Sequence, residues 1–264
     1  MKSITVRKNL AGEYYAILLF KREYIQKPKV YLGDKSKVVG LDFSPADLYI
    51  DSNGSSGKDF GYVAQKQANG KKLKILKRRL VKKQKGSSNR EKARIKVARL
   101  ENRIGNSRND FIEKETLRLV RKYEIVGVED LNLQGISGFL RNAKNMTDTS
   151  WGMFVNKLTW KASKNEHSCQ IIKVSRHFPS SKLCSKCGFK YEKLKLSERK
   201  WVCPKCGTEH NRDLNAAINL KGESIRLAKS EFRPVEDCLS KRNRYVPENL
   251  GNPMKQETGV SQGI

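Results

Sequence analysis

Two cysteine pairs restrict this chain more than any other feature. Cys184-x2-Cys187 and Cys203-x2-Cys206 stand 15 residues apart, in "CSKCG" and "CPKCG". Four thiolates at that spacing suit one tetrahedral zinc ion, gripped by two tight turns that the following glycines ease. A zinc ribbon is therefore expected at residues 183–207. A redox CxxC is the competing reading, but two pairs spaced for one metal argue against it. Disulfides belong to oxidising compartments, and "MKSITVRKNL" lacks the apolar stretch of a secretory signal. The chain is thus expected to be cytoplasmic, beside the nucleoid, and not secreted. Four cysteines leave no open coordination position, so this zinc should be structural. His210 is then an unneeded ligand. His167 and His177 read as surface or polar-core residues, and Cys169 and Cys238 as ordinary ones.

Charge restricts the partner. Lysine and arginine number 55 against 27 acids, a net charge of +28. Such an excess points to a polyanion, most often nucleic acid. An anionic membrane is the rival, but no long apolar run or lipidation motif supports it. The charge is concentrated: from Lys71 to Arg103 there are 15 cations against Glu91 and Glu101. Leu73, Leu76 and Leu80 recur at helical spacing, as do Ala93, Val97, Leu100 and Ile104. "KGSSN" interrupts them, with Ser88 or Asn89 as the expected cap of the second helix. The pattern predicts a basic helical hairpin over 64–123. Its candidate nucleic-acid contacts are Lys71, Lys72, Lys74, Lys77, Arg78, Arg79, Lys82 and Lys83 on the first helix, and Arg90, Lys92, Arg94, Lys96 and Arg99 on the second.

Around this hairpin the chain reads as α/β. "SITVRKN" and "YYAILLFKR" flank the turn "LAGE", a β-hairpin. "KVVGLDFS" and "DLYIDSNG" read as strands, with "FGYVAQ" as a third. "EIVGVEDLNL" is a buried strand, followed by the polar loop "QGISGFLRNAKN". Trp151, Phe154, Leu158 and Trp160 mark an amphipathic helix, "CQIIKVS" a strand and "NRDLNAAINL" a short helix capped by Asn211. Residues 231–264 read as an irregular or disordered tail.

Three acids share a setting. Asp42 ends "VVGLD", Glu129 ends "IVGVE", and Asp213 opens the helix after the ribbon. An acid in the first turn of a helix also simply offsets its dipole. A carboxylate at the end of a buried strand, however, is costly unless a cation meets it. Hard ions such as Mg²⁺ and Mn²⁺ take carboxylate oxygens, and two of them can drive phosphodiester cleavage. On a basic chain the three acids suggest a nuclease.

The stretches "VVGLDFSPADLYIDSNG", "VGVEDLNLQGI", "SWGMF", "HFPSSKLCSKCG" and "WVCPKCGTEHNRDLNAAINL", with the basic helix "KGSSNREKARIKVARLENRIGNSRNDFIEK", resemble the TnpB (OrfB) proteins of insertion sequences, relatives of Fanzor proteins and type V CRISPR effectors. The likeness runs from about residue 36 to 222. It implies a RuvC-type nuclease domain on an RNase H fold at 36–182, carrying the basic hairpin. The ribbon would follow, then a last catalytic helix at 208–230. It further implies Asp42, Glu129 and Asp213 as the magnesium-binding carboxylates, Cys184, Cys187, Cys203 and Cys206 as the zinc ligands, and DNA target and guide RNA as partners. Asn211-Arg212-Asp213 departs from the aspartate that begins this motif in many relatives. Family members also carry a wedge barrel and a helical recognition domain, of which only a terminal β-hairpin within 1–35 is expected here. The chain would then be a truncated copy, an internal start, or one piece of a split system whose N-terminal half is a separate protein. A binding remnant or regulator without cleavage is the rival from another class. A zinc-ribbon adaptor of translation or transcription leaves the three acids unexplained.

Overall fold

Two strands with the same apolar-Gly-apolar-acid pattern organise the molecule. The computed structural model describes residues 2–21, 34–44, 47–57, 60–131, 151–164, 169–195 and 197–231. The polar loop after "VEDLNL", the tail, His167 and Cys238 lie outside the described residues. The elements are β1 (Ser3–Lys8), β2 (Tyr14–Leu19), β3 (Val38–Ser44), β4 (Leu48–Asp51), α1 (Phe60–Val81), α2 (Ser88–Lys122), β5 (Ile125–Glu129), α3 (Trp151–Ser163), β6 (Gln170–Val174), β7 (Lys200–Val202), β8 (Glu209–Asn211) and α4 (Arg212–Glu231).

The central sheet has the order β4-β3-β5-β6. β3 runs parallel to β5 and antiparallel to β4, and β5 runs parallel to β6. Both faces are covered, which is why β3 and β5 read as nearly continuous apolar runs. Alternation along a strand sorts their side chains. Val39, Leu41, Val126 and Val128 join Ile112, Leu119, Trp151, Phe154 and Leu158 in one core beneath α2 and α3. Val38 and Ile125 pack on the opposite face with Ile172 and Ala228.

That opposite face carries α4, and glycine sets how closely it lies. Gly40 and Gly127 are register partners on β3 and β5. A Cβ on Gly40 would stand 2.1 Å from the Ala217 carbonyl oxygen, and one on Gly127 would stand 1.9 Å from Ser224 Oγ. The helix backbone therefore rests on the sheet at two adjacent strands, with Ala217, Leu220 and Ser224 fully buried.

"FGYVAQ" is not a third strand: it opens α1. A six-residue apolar run cannot separate strand from helix by period alone, and here it continues unbroken into the helix formers that follow. The cap of α2 is Ser87, one residue before the expected pair, its hydroxyl accepting from Arg90 N at 3.2 Å. Trp160 lies off the buried stripe of α3; it is 54% exposed and carries Lys164 Nζ over its ring at 3.4 Å. Trp151, Phe154, Leu158 and Ala162 make that stripe instead.

α2 has two roles along its length. Its first half pairs with α1 through Leu73, Leu76 and Leu80 on one side and Val97, Ala98 and Leu100 on the other, half-buried or buried. Its second half enters the core. There the buried Tyr49 hydroxyl meets Glu115, Arg118 Nη2 donates to that hydroxyl at 2.8 Å, and Arg118 pairs with Glu115 at 2.6 Å. Burial raises the Tyr49 pKa, so the phenol stays protonated. Lys157 and Lys161 of α3 both bind Glu113. The β1–β2 hairpin is antiparallel and exposed on every strand residue. It touches α2 through Asn102 Nδ2 to Glu13 Oε2 at 3.0 Å and Arg94 Nη1 to the Leu10 carbonyl at 3.2 Å.

The two glycines should respond differently to substitution. Gly40→Ala drives a methyl into backbone and should destabilise by about 3 kcal/mol or more, beyond rescue by any side-chain change. Gly127→Ala meets chiefly the Ser224 side chain, so Ser224→Gly should recover much of its loss. Chemical denaturation of the single and double variants measures this coupling, and additive losses would show that α4 does not sit as closely as described.

Candidate nuclease and zinc sites

Asp42 and Glu129 each stand two residues past one of these glycines. The same alternation therefore puts both carboxylates on the α4 face, one step beyond the paired Leu41 and Val128. α4 begins at that end of the sheet. Asn211 caps it, accepting from Asp213 N at 3.1 Å and Leu214 N at 3.2 Å. The expected cap is thus present, and the acid it introduces lies near enough to Asp42 to act on it electrostatically.

Electrostatics records this convergence. Burial first, then the charges of Glu129 and Asp213, push Asp42 up to about 8. Burial alone raises Glu129. Two cations oppose the cluster. Arg199 Nη1 donates to both Asp213 oxygens at 2.9 and 2.7 Å, and Arg212 Nη2 lies 3.4 Å from Oδ1. Arg199 is placed by the ribbon: its carbonyl accepts from Arg212 N at 2.8 Å. All three donor groups are carboxylates, the set that hard divalent cations take. Three acids with only partial compensation fit such ions. Among the described residues, only the four cysteines have all their ligand atoms within 4.8 Å of one another. The carboxylates converge without closing, and Asp213 is occupied by arginine.

The cysteine clip is closed. Cys184 and Cys206 sulfurs stand 3.6 Å apart, and Cys187 and Cys203 sulfurs 3.7 Å apart. A tetrahedron with zinc–sulfur bonds of about 2.3 Å has edges of roughly 3.8 Å, so the four sulfurs fit zinc. Each knuckle is the same turn: Gly188 N bonds the Cys184 carbonyl and Gly207 N the Cys203 carbonyl. Both glycines have φ near +70°, at 72° and 69°, a region other residues reach only with strain. Leu194, Trp201 and Tyr191 complete a small core around the sulfurs.

α4 holds the ribbon directly. Asn215 Nδ2 donates to the Leu183 carbonyl at 2.6 Å and its Oδ1 accepts from Ser185 N at 2.9 Å. Asn219 Nδ2 donates to the carbonyls of Ser180 and Leu183 at 2.7 Å each. Sequence reasoning did not single out Asn215, Asn219 or Arg199. The i, i+4 asparagines on an otherwise apolar helix face were the available signal for the first two; Arg199 had none among so many cations. His210 is no spare surface residue either: its Nε2 lies 3.1 Å from Cys184 Sγ, its ring packs on Trp201 at 4.7 Å, and burial lowers its pKa. His177 is exposed, and Cys169 is buried in the main core.

The proposed nucleic-acid contacts divide in two. Lys71, Lys72, Lys74, Arg78, Arg79, Lys82, Lys83, Lys92, Lys96 and Arg99 are exposed. Lys77 is also exposed but pairs with Glu101 at 2.6 Å. Arg90 and Arg94 are half-buried and serve the fold. Arg90 Nη1 caps the end of α1 through the carbonyls of Leu80 and Lys83, and Arg94 pairs with Glu91. No described helix is long and apolar enough to cross a membrane.

Residues 24–139 match the family described as "Probable transposase" (OrfB_IS605), and residues 151–220 match "Cas12f1-like, TNB domain". The chain is 34% identical over 218 residues to a Streptomyces pristinaespiralis protein named "Putative RNA-guided DNA endonuclease", covering 83% of this chain and 52% of that protein. It is 28% identical over 235 residues to "Putative RNA-guided DNA endonuclease InsQ" of Escherichia coli (strain K12), covering 83% and 56%. The chain thus spans about half the length of the curated relatives it matches. A solved Cas12f1–sgRNA–target DNA complex aligns with 74% of this chain and 40% of its own, at TM-score 0.49 and 22% identity.

The acid cluster makes stability depend on pH. Asp42 is raised from 3.8 to about 8. Across that interval the folded, metal-free protein keeps a proton that the unfolded chain has released, so stability falls as pH rises. Asp42→Asn removes this penalty. Its melting temperature in metal-free buffer should exceed the wild type's by more at pH 8 than at pH 5. A pH-independent difference would show that Asp42 does not sit in a desolvated acid cluster.

Proposed function

Because the chain belongs to the TnpB (OrfB) family, we propose that it is the nuclease portion of an RNA-guided DNA endonuclease associated with transposition. In this reading the sheet with α2, α3 and α4 is an RNase H-like, RuvC-type domain, and the β1–β2 hairpin is the last piece of a wedge domain. Asp42, Glu129 and Asp213 hold two Mg²⁺ or Mn²⁺ ions, and Cys184, Cys187, Cys203 and Cys206 hold one structural zinc. When bound, the two divalent ions activate water and stabilise the leaving oxygen of a phosphodiester. The observation that carries this reading is geometric: Asp42 and Glu129 stand on adjacent strands at the face that α4 covers, and Asp213 stands in the first turn of α4; burial, then the charges of Glu129 and Asp213, raise Asp42 there. Acids from two strands and one helix are gathered where a cation would stabilise all three.

The protein's own groups do the rest. Asp42 and Glu129 enter from adjacent strands whose register is fixed, so their separation is rigid. Asp213 enters from the helix that the ribbon holds. The exposed cations of α1 and α2 neutralise backbone phosphates of DNA or RNA and fix register without reading sequence. Guide RNA and target DNA are the partners this surface suits. A second reading, a nucleic-acid-binding remnant without cleavage, is favoured by one observation: Asp213 already carries Arg199.

Cleavage separates the two. Single-stranded DNA incubated with the full chain and Mg²⁺ should be cut, and Asp42→Ala, Glu129→Ala or Asp213→Ala should each abolish cutting while leaving affinity equal or tighter. Uncut DNA with the wild type, with or without co-purified RNA, supports the remnant reading. Normal cutting by Asp213→Ala reduces that acid to a helix-dipole partner.

The basic hairpin has its own test. Replacing the exposed Lys74, Arg78, Arg79, Lys82 and Lys83 with glutamine should weaken nucleic-acid binding and flatten its salt dependence. Each lost phosphate contact should reduce the log–log slope by about 0.7–0.9. An unchanged slope would show that these side chains face only solvent.

A further inference from the structure

Four thiolates around one divalent cation leave two negative charges in a small, largely enclosed pocket. Donors aimed at sulfur offset such charge and hold the ligands in place. Two of the four sulfurs receive theirs from the knuckles themselves. The Phe189 backbone N–H bonds Cys187, and Thr208 serves Cys206 through its backbone, with Oγ1 3.3 Å from the sulfur. Cys184 and Cys203 are the enclosed members, each 1% exposed, and the group beside Cys184 is the His210 imidazole, Nε2 to Sγ 3.1 Å.

His210 is not a fifth ligand. It falls outside the set of ligand atoms that lie within 4.8 Å of one another. A sulfur and a nitrogen bound to the same tetrahedral zinc would also stand roughly 3.5 Å apart, farther than observed. Its ring is held independently of the sulfur. Trp201 and His210 are directly opposed across the β7–β8 ladder, their rings pack at 4.7 Å and 35°, and Trp201 is itself buried. Strand pairing and ring packing therefore aim Nε2 at Cys184.

We propose that His210 is a positioning residue of the zinc clip, its Nε2–H donating a hydrogen bond to the Cys184 thiolate. A metal-bound thiolate has no proton to give, so the imidazole must be the donor. The bond draws electron density from sulfur. Cys184 is then a less nucleophilic ligand, slower to react with electrophiles, and because the bond also holds the sulfur in place and offsets its charge, it leaves the metal more slowly. It also links the first knuckle to β8, whose last residue, Asn211, caps the helix that bears Asp213. The inference stands on the cysteine geometry and is independent of the nuclease reading.

The test uses the full chain loaded with zinc or cobalt(II), as wild type, His210→Phe and His210→Gln. Phenylalanine keeps a ring for Trp201 and loses the donor; glutamine restores an N–H. All three should bind one metal per chain with tetrahedral cobalt d–d bands of the same pattern. In His210→Phe the sulfur-to-cobalt charge-transfer band should move to longer wavelength, zinc should pass to a chelator about 10-fold faster, and iodoacetamide should alkylate the clip faster. His210→Gln should return all three readouts toward wild type. Identical behaviour of wild type and His210→Phe overturns the proposal. So does equal impairment of both variants, which would make the ring's packing the only contribution, or a changed d–d pattern, which would make His210 a ligand. If His210→Phe retains no metal, a wild-type spectrum and release rate in His210→Gln support the donor, and their loss there overturns it.

Discussion

The backbone of α4 touches the backbone of β3, and this contact is possible only because Gly40 has no side chain. With Gly127 beside it, the helix lies on two parallel strands at a distance no β-carbon would permit. Because side chains alternate along a strand, the glycines and the acids two residues on must share a face. One packing decision thus fixes the depth of the helix and the direction of Asp42 and Glu129. The capped first turn of the helix then brings Asp213 to the same end of the sheet. The cost of gathering like charges falls on Asp42, and the main core of Val39, Leu41, Val126 and Val128 beneath the other face holds the strands against it.

The ribbon is not a separate appendage. Asn215 and Asn219 bond its first knuckle, Arg199 at the foot of its hairpin grips Asp213, and His210 lies between sulfur and helix start. The sulfurs, the helix and the acid form one continuous polar assembly. Through Arg199 the ribbon engages both carboxylate oxygens of Asp213.

Much of this was legible in the residues themselves. Strands announced as "VVGLD" and "IVGVE", the CxxC spacing and the Asn211 cap each encode their structure locally, through period, turn geometry or a single hydrogen bond. "FGYVAQ" was misread because six apolar-rich residues carry no period of their own, and the continuation into α1 decided it. The role of the glycines was hidden because a close approach needs both partners, and the partner helix lies more than 170 residues beyond Gly40. Arg90 and Arg94 were indistinguishable from neighbouring cations by composition; only the fold shows that one closes the end of α1 and the other pairs with Glu91. The pairing of Arg199 with Asp213 likewise depends on tertiary placement that charge patterning does not carry.

α2 is one uninterrupted helix of 35 residues, clamped at its far end by Tyr49, Glu115 and Arg118 and packed at its near end on α1 and the β1–β2 hairpin. From Ser88 to Ile112 it extends roughly 36 Å at about 1.5 Å per residue. It therefore acts as a lever arm: each degree of tilt at the clamped end sweeps the basic tip through about 0.6 Å. A load applied to the lysines arrives at the sheet as torque about the Tyr49 contact, on β4, the neighbour of the strand that carries Asp42.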